Sequence, residues 1–503
     1  MPGLLRRIFS KKTLRWIGIV VATLAALVLI FIAEENWRGR RAWDAYRAAA
    51  EKRGAKLFLK DFIPPDIPDA ENYAAIPIIR DLFAERKDGE AAPITFPHPK
   101  GRRPNLPNDL KETRFNPSEW HQFFLEAKLP PGKLDNPAND LLRDLERYES
   151  VLQQIREASS RPHCKFPTRW EDGPAMPLPH LNFAMGTSLF LSLRTHAHLA
   201  LGNSSAARAE CDHAMRLYQA LAAEPTLIAG LVRLSLLDRL ESCVWDGLAA
   251  GQWADEDITA LEKTFAEVRL FDDCRFAFTA ERGFMNDNHM DFAKRGFDKL
   301  RDEMKAYEFI GMKFEPSLGE RIFWHTFPKG WIFQIMVRSN EYFDWLLAPL
   351  DDSANKKDAP FSPPTRSSKD WLESHPAPPG VGKVWQYVME QSLPVFDSAY
   401  KRYLYAHTRA QETRLACTLE RFRRAKGGLP ETLDELMPEF IEAIPKDVFD
   451  RKPLRYRRNA DGGYDLWSIG SNRKDDGGKI DPKKTGEEQD DWLWHMPGRP
   501  TAP

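Results

Sequence analysis

The stretch Trp16–Ala33 (WIGIVVATLAALVLIFIA) constrains this chain more than any other. Its 18 residues carry no charge, no Pro and no Asn, and they lie between Arg15 and Glu34-Glu35. A helix of that length spans about 27 Å, close to the hydrocarbon thickness of a bilayer. Only a helix satisfies its own backbone there without partners. A buried core helix of a soluble protein rarely runs so long with nothing more polar than Thr23. A cleaved signal peptide is the nearer rival. Its apolar core would be shorter, however, and a cut after Ala33 would put Phe31 where a small residue is needed. The segment therefore reads as an uncleaved anchor.

Ahead of the anchor lie Arg6, Arg7, Lys11, Lys12 and Arg15 with no acid; behind it Arg38, Arg40 and Arg41 are mixed with Glu34, Glu35 and Asp44. The positive-inside rule puts the N-terminus in the cytoplasm. The expected location is the inner (cytoplasmic) membrane, single-pass, with the bulk of the chain periplasmic or otherwise extracytoplasmic. A net charge of −1 offers no basic field for a nucleic acid. The expected partners are the membrane and a protein. Cys164, Cys211, Cys243, Cys274 and Cys417 form no Cys-x-x-Cys pair, which excludes the usual zinc spacings and reads as buried thiols.

The expected organisation is a basic cytoplasmic segment (1–15), the anchor (16–33), a juxtamembrane helix and Pro-rich connection (34–116), a helical body (117–350), a linker (351–383) and a small α+β domain (384–503). Within the body, helical periods run over about Asn136–Ser160, Asn182–Leu201, Leu227–Gly251, Glu256–Val268, Phe271–Tyr307 and Ile322–Leu350. His198-Leu-Ala-Leu-Gly202, Ala206 and Ala214-Met-Arg-Leu217 resemble one tetratricopeptide-type hairpin. Past the linker, Val384–Lys426 reads as one long helix. Pro453–Arg458, a turn at Asn459–Gly463 and Tyr464–Gly470 then form a hairpin. The expected core includes Leu189, Leu193, Leu217, Leu234, Leu237, Phe333, Leu419, Phe422, Tyr456 and Trp467. The fold class is mainly α, with one transmembrane helix, a partly tetratricopeptide-like body and a small C-terminal α+β domain.

Enzymatic signatures are absent from the sequence. There is no Walker A loop, Rossmann fingerprint, His-Glu-x-x-His or Gly-x-Ser-x-Gly. The Asn286-Asp-Asn-His-Met-Asp291 cluster lacks the Gly and later Glu of a calcium loop and reads as a polar helix face or helix junction. His196 and His198, two apart on a helix, point in different directions. With 73 Asp and Glu, no acid/base couple stands out.

Several C-terminal features resemble the soluble domain of the type II secretion major pseudopilins. They are the long helix, Leu429-Pro430…Leu433, Pro445-Lys-Asp447, Leu454-Arg-Tyr456, Tyr464-Asp-Leu-Trp-Ser-Ile-Gly470 and the Asp475-Asp476-Gly477 loop. The resemblance implies calcium on the acidic loop, held by Asp475, Asp476 and Asp481. The prepilin cleavage signature is absent, so a fibre subunit is not expected. The whole layout resembles uncharacterised membrane-anchored proteins of planctomycete and verrucomicrobial bacteria. Phe62-Ile-Pro-Pro-Asp-Ile-Pro-Asp-Ala-Glu-Asn-Tyr73, Gly330-Trp-Ile-Phe-Gln334 and Leu415-Ala-Cys-Thr-Leu-Glu-Arg-Phe422 carry that likeness, which implies an architecture and no activity.

The leading functional expectation is a non-enzymatic envelope protein with a scaffolding or protein-interaction role. The alternatives are an extracytoplasmic hydrolase with an unrecognised site, and a secretion-system accessory. A pocket gathering strongly perturbed acids would favour the hydrolase; a flat, patch-bearing surface would favour the scaffold.

Overall fold

Helix α1 (Lys11–Lys52) runs unbroken from the apolar span into the body. It is long and apolar enough to cross a membrane, and its apolar side chains between Trp16 and Phe31 are exposed. Thr23, the most polar residue of the span, turns its hydroxyl back to the Ile19 carbonyl at 2.9 Å. The computed structural model describes residues 11–84, 104, 106–109, 113–126, 136–296, 298–299, 301–302, 317–355, 367–376 and 382–499.

The body follows as α2 (Pro77–Leu82), α3 (Pro117–Glu126), α4 (Pro137–Leu145), α5 (Glu149–Ala158), α6 (Pro179–Ala200), α7 (Ser204–Ala220), α8 (Leu227–Ala250), α9 (Asp255–Ala266) and α10 (Leu270–Arg295). Then come α11 (Leu318–Thr326), α12 (Lys329–Asn355), α13 (Ser368–Ser374) and α14 (Gly382–Lys426). Local chemistry sets several boundaries. The Asn136 side chain accepts the Ala138 N–H at 2.9 Å ahead of Pro137. Thr226 caps α8, whose end is turned by Gly251 at φ +69°. The expected helix over Ile322–Leu350 is two helices, because the α11–α12 junction falls at Pro328. Within the expected linker (351–383), α12 continues to Asn355, and α13 buries Trp371 against Tyr342 with ring centroids 5.3 Å apart. Residues 356–366 and 377–381 lie outside the described residues, as do 85–103 of the expected Pro-rich connection.

β1 (Arg455–Arg458), β2 (Tyr464–Ser468) and β3 (Trp492–Met496) form an antiparallel sheet in that order, with Tyr456 opposite Leu466 and Leu466 opposite Trp494. The hairpin follows expectation; the third strand is additional. The α+β segment does not stand apart, because α14 packs on α8 and α9. One core therefore joins Leu237 and Phe278 of the body to Leu419, Leu466 and Trp494. Of the ten expected core residues nine are buried. Tyr456 is half-buried, its hydroxyl donating to the Pro430 carbonyl at 2.9 Å. All five cysteines are buried free thiols.

The span is joined to the body by a backbone-on-backbone crossing of α1 and α12. A Cβ on Gly330 would sit 1.9 Å from the Glu35 carbonyl oxygen, and one on Gly39 would sit 2.0 Å from that of Gly330. Asn36 accepts the Gly330 N–H at 2.8 Å, and buried Glu35 accepts from Trp331 at 2.9 Å and Gln334 at 3.2 Å. Only glycine permits this approach. Gly330→Leu should therefore destabilise the chain by at least the ~1–3 kcal/mol typical of overpacking, read as a lowered urea midpoint in detergent. Gly18→Leu, where a side chain meets nothing within 4 Å, should leave the midpoint in place. Equal midpoints for both variants would show that the crossing is not tight.

Candidate functional site: an acidic cavity between α8 and α14

Asp238 and Glu241 stand one turn apart on α8, and Arg402, Tyr405, Arg409 and Glu412 follow at helical spacing along one face of α14. These faces meet where Asn108–Asp109 and the Thr485–Glu487 turn close the ends. They leave a cavity of about 280 Å³ lined by Asp109, Asp238, Glu241, Tyr405, Arg409 and Glu487 among others.

Arg409 is the hub. Its Nη1 lies 3.0 Å from Asp109 Oδ2 and 3.3 Å from Glu412 Oε2, and it donates to the Leu493 carbonyl at 3.0 Å. Its guanidinium carbon sits 4.5 Å from the centroid of the Trp494 ring. Loop, helix and strand are thus tied to one cation. On the neighbouring edge Trp245 donates its indole N–H to the His495 carbonyl at 2.8 Å. His495 Nδ1 lies 2.7 Å from Asp465 Oδ1.

The carboxyls outnumber the charge available to hold them. Burial raises the pKa of Glu241 well above the ordinary value; Arg409 opposes the shift, and Asp238, Glu412 and Asp109 reinforce it. Glu412, fully buried, is raised in the same way, and Asp238, which faces the cavity, is also raised. Glu241 Oε1 and Glu412 Oε1 have no hydrogen-bond partner among the described residues. Burial and the neighbouring acids together disfavour the ionised forms of Glu241, Glu412 and Asp238. The cavity therefore combines a fixed cation with carboxylic acids able to donate protons or accept a further cation.

A second buried cluster lies on another side of α8. Cys243 Sγ is 3.5 Å from His196 Nε2, and His196 Nδ1 is 3.1 Å from Asp246 Oδ2. Burial works against a charged ring, yet Cys243 and Asp246 outweigh it and push the His196 pKa up to about 10. This is the order of groups in a thiol–imidazole–carboxylate relay. It is closed, however: all three residues are buried, Phe115 stacks on the imidazole at 4.5 Å, and Arg114 pairs with Asp246. His198 is half-buried and turned toward other charges, Arg194 and Glu210.

Of the expected calcium ligands, Asp475 accepts from the Trp467 indole at 3.0 Å and the Gly477 N–H at 3.1 Å, and its other oxygen lies 3.4 Å from Arg455 Nε. Asp476 accepts from Asn472 at 2.9 Å, and Asp481 accepts the Lys483 N–H at 2.9 Å. Among the described residues no three His, Cys, Asp or Glu side chains stand together as a metal-holding group. The Asn286–Asp291 run forms a helix junction: Asn286 pairs with Asn340 and the Leu57 carbonyl, and Asp287 accepts the Leu59 N–H.

Sequence reasoning missed the cavity, although two signals were present. Asp238 and Glu241 stand at i,i+3 on the Leu-rich helix α8, and Arg409 and Glu412 stand at the same spacing on α14. No family model, curated protein or solved structure matches this chain.

The cavity sets a pH dependence. The native chain keeps a proton on Glu241 that the unfolded chain releases near the ordinary value of 4.5. Stability should therefore fall as pH rises from there toward the folded pKa, by up to ~1.4 kcal/mol per pH unit for each such group. Glu241→Gln should flatten this fall, read as urea midpoints across the range. A slope unchanged by the substitution would mean that Glu241 is ionised in the native state.

Proposed function

We propose that this chain is a membrane-anchored extracytoplasmic protein whose helical body binds a small cationic ligand, an amine or guanidine, in the acidic cavity between α8 and α14. The reading is carried by one observation: buried Glu241 and buried Arg409 line the cavity together, and among the described residues Glu241 Oε1, like Glu412 Oε1 behind it, has no hydrogen-bond partner. A cavity of about 280 Å³ lies at the lower end of small-molecule sites, roughly 300–1,000 Å³, so the ligand is small. Tyr405, Leu234 and Ala406 supply an apolar wall for its carbon skeleton. In this reading α1 tethers the body, and the charge bias around the span supports an N-terminus in the cytoplasm.

A second reading, an extracytoplasmic hydrolase, is favoured by the raised pKa of buried Glu241. An acid that keeps its proton near neutrality is suited to protonate a leaving group. The two readings part at Glu241→Gln, which keeps the shape of the site but removes the proton donor.

A cation that binds the ionised acids must displace their protons, so its affinity should rise with pH. Calorimetric titration of the detergent-solubilised full chain with putrescine and with acetate is the test. Putrescine should bind, more tightly at higher pH and with proton release, and Asp238→Asn with Glu241→Gln should weaken it at least about tenfold, the loss of 1.4 kcal/mol or more. Acetate should not bind. Preference for the anion, or diamine binding indifferent to both substitutions, would contradict the reading.

A further inference from the structure

A second cavity, of about 630 Å³, lies where α1 enters the body, between the C-terminal end of α10 and the start of α12. Its wall carries Arg40, Lys294 and Lys329 against one acid, Asp291. Asp291 is already engaged, 3.1 Å from Lys299 Nζ and 3.4 Å from Arg295 Nη1. Among the described residues no ion pair engages Arg40, Lys294 or Lys329, and all three are exposed. Lys329 does donate to the Lys294 carbonyl at 3.3 Å, which holds the two ammonium-bearing residues side by side. The Arg40 guanidinium lies 5.1 Å from the ring centroid of buried Phe333. Met290 and Phe333 give the cavity an apolar floor.

Its position relative to the span identifies the ligand. Asn36 and Arg40 line the cavity one helical turn apart. Arg40 follows Ala33 by seven residues, about 10 Å along the axis at about 1.5 Å per residue. Side chains on a helix tilt toward its N-terminus, here back toward the membrane, so the guanidinium falls within the headgroup layer. Exposed Trp37, three residues before Arg40, places an aromatic ring near that depth, and the Phe31–Trp331 pair, ring centroids 6.3 Å apart, lies closer to the apolar span. We propose that this cavity binds the phosphate-bearing head group of an anionic phospholipid from the leaflet that the body faces. Three cations take the phosphate, and the floor of Met290 and Phe333 receives the start of the acyl region. The α1–α12 glycine crossing forms one wall, so a bound lipid also braces the joint between span and body. The proposal rests on reading α1 as a membrane anchor, and it is independent of the acidic cavity.

The test uses the full chain, delipidated in detergent and returned to nanodiscs of phosphatidylcholine with or without phosphatidylglycerol, followed by native mass spectrometry of the retained lipid. The wild-type chain should retain phosphatidylglycerol in preference to phosphatidylcholine. The triple variant Arg40→Gln, Lys294→Gln, Lys329→Gln should lose that preference by on the order of a hundredfold, since each cation near a lipid surface contributes separately. Arg40→Gln alone should lose a smaller part, and an unchanged far-UV circular dichroism spectrum checks that the exposed substitutions leave the fold in place. Equal retention of both lipids, or a preference that survives the triple variant, would overturn the site. Displacement of the lipid by inorganic phosphate at equal concentration would overturn the lipid assignment in favour of a soluble phosphate. Carbonate extraction of the same chain from proteoliposomes reads the anchor separately. A chain that washes out loses the anchor and with it this site, whereas a carbonate-resistant chain without lipid preference loses the site alone.

Discussion

One buried guanidinium ties the helical body to the C-terminal sheet. Arg409 reaches Asp109 in the loop ahead of α3, Glu412 on its own helix and the Leu493 carbonyl in β3, while it stacks on Trp494. These groups come from three distant stretches of chain. Removing one partner of such a network leaves the others buried and unpaired, which costs far more than the net value of any single pair. The same arrangement leaves Glu241 and Glu412 with carboxyl oxygens that nothing in the described structure satisfies. Structural demand and chemical potential have one origin here: a low-dielectric junction with more acids than cations to neutralise them.

The other organising contact lies where the apolar helix enters the body. Because Gly39 and Gly330 bring α1 and α12 into backbone contact, and Glu35 is locked to Trp331 and Gln334, the span does not hang from a flexible tether. Farther along α1, Asp344 of α12 accepts from the Tyr46 hydroxyl at 2.8 Å and lies 2.9 Å from Arg282 Nη1 of α10. The orientation of α1 is thereby passed to the body through a chain of direct contacts. A joint of this kind holds the cavity beside Arg40 in a fixed position relative to the apolar helix.

How much of this was legible in the sequence depended on the range of the interaction concerned. The span, the helical periods, the β1–β2 hairpin and the buried thiols are local properties of composition and spacing, and they could be read directly. The third strand was not legible because Trp492, Leu493, Trp494 and Met496 are all buried, so the alternation that marks a half-buried strand is missing. The break at Pro328 was masked by aromatic residues on both sides, which continue one apparent helical period. The acidic cavity depends on Asp109 and Arg409, which are far apart in the chain, and no spacing rule connects them. Within the C-terminal loop, spacing alone does not show which partners the acids take up. Asp475 offers suitable oxygens for a cation, but Trp467, Gly477 and Arg455 already use them.

Buried Glu241, its pKa raised well above the ordinary value, should hold its proton near neutrality. Infrared difference spectroscopy of the full chain at neutral pH, wild type against Glu241→Gln, addresses that state without reference to any ligand. The wild-type spectrum should show a protonated-carboxyl C=O stretch that the Glu241→Gln chain lacks. A difference spectrum showing only the loss of ionised carboxylate bands would contradict it, because Glu241 would then carry its charge in the folded protein.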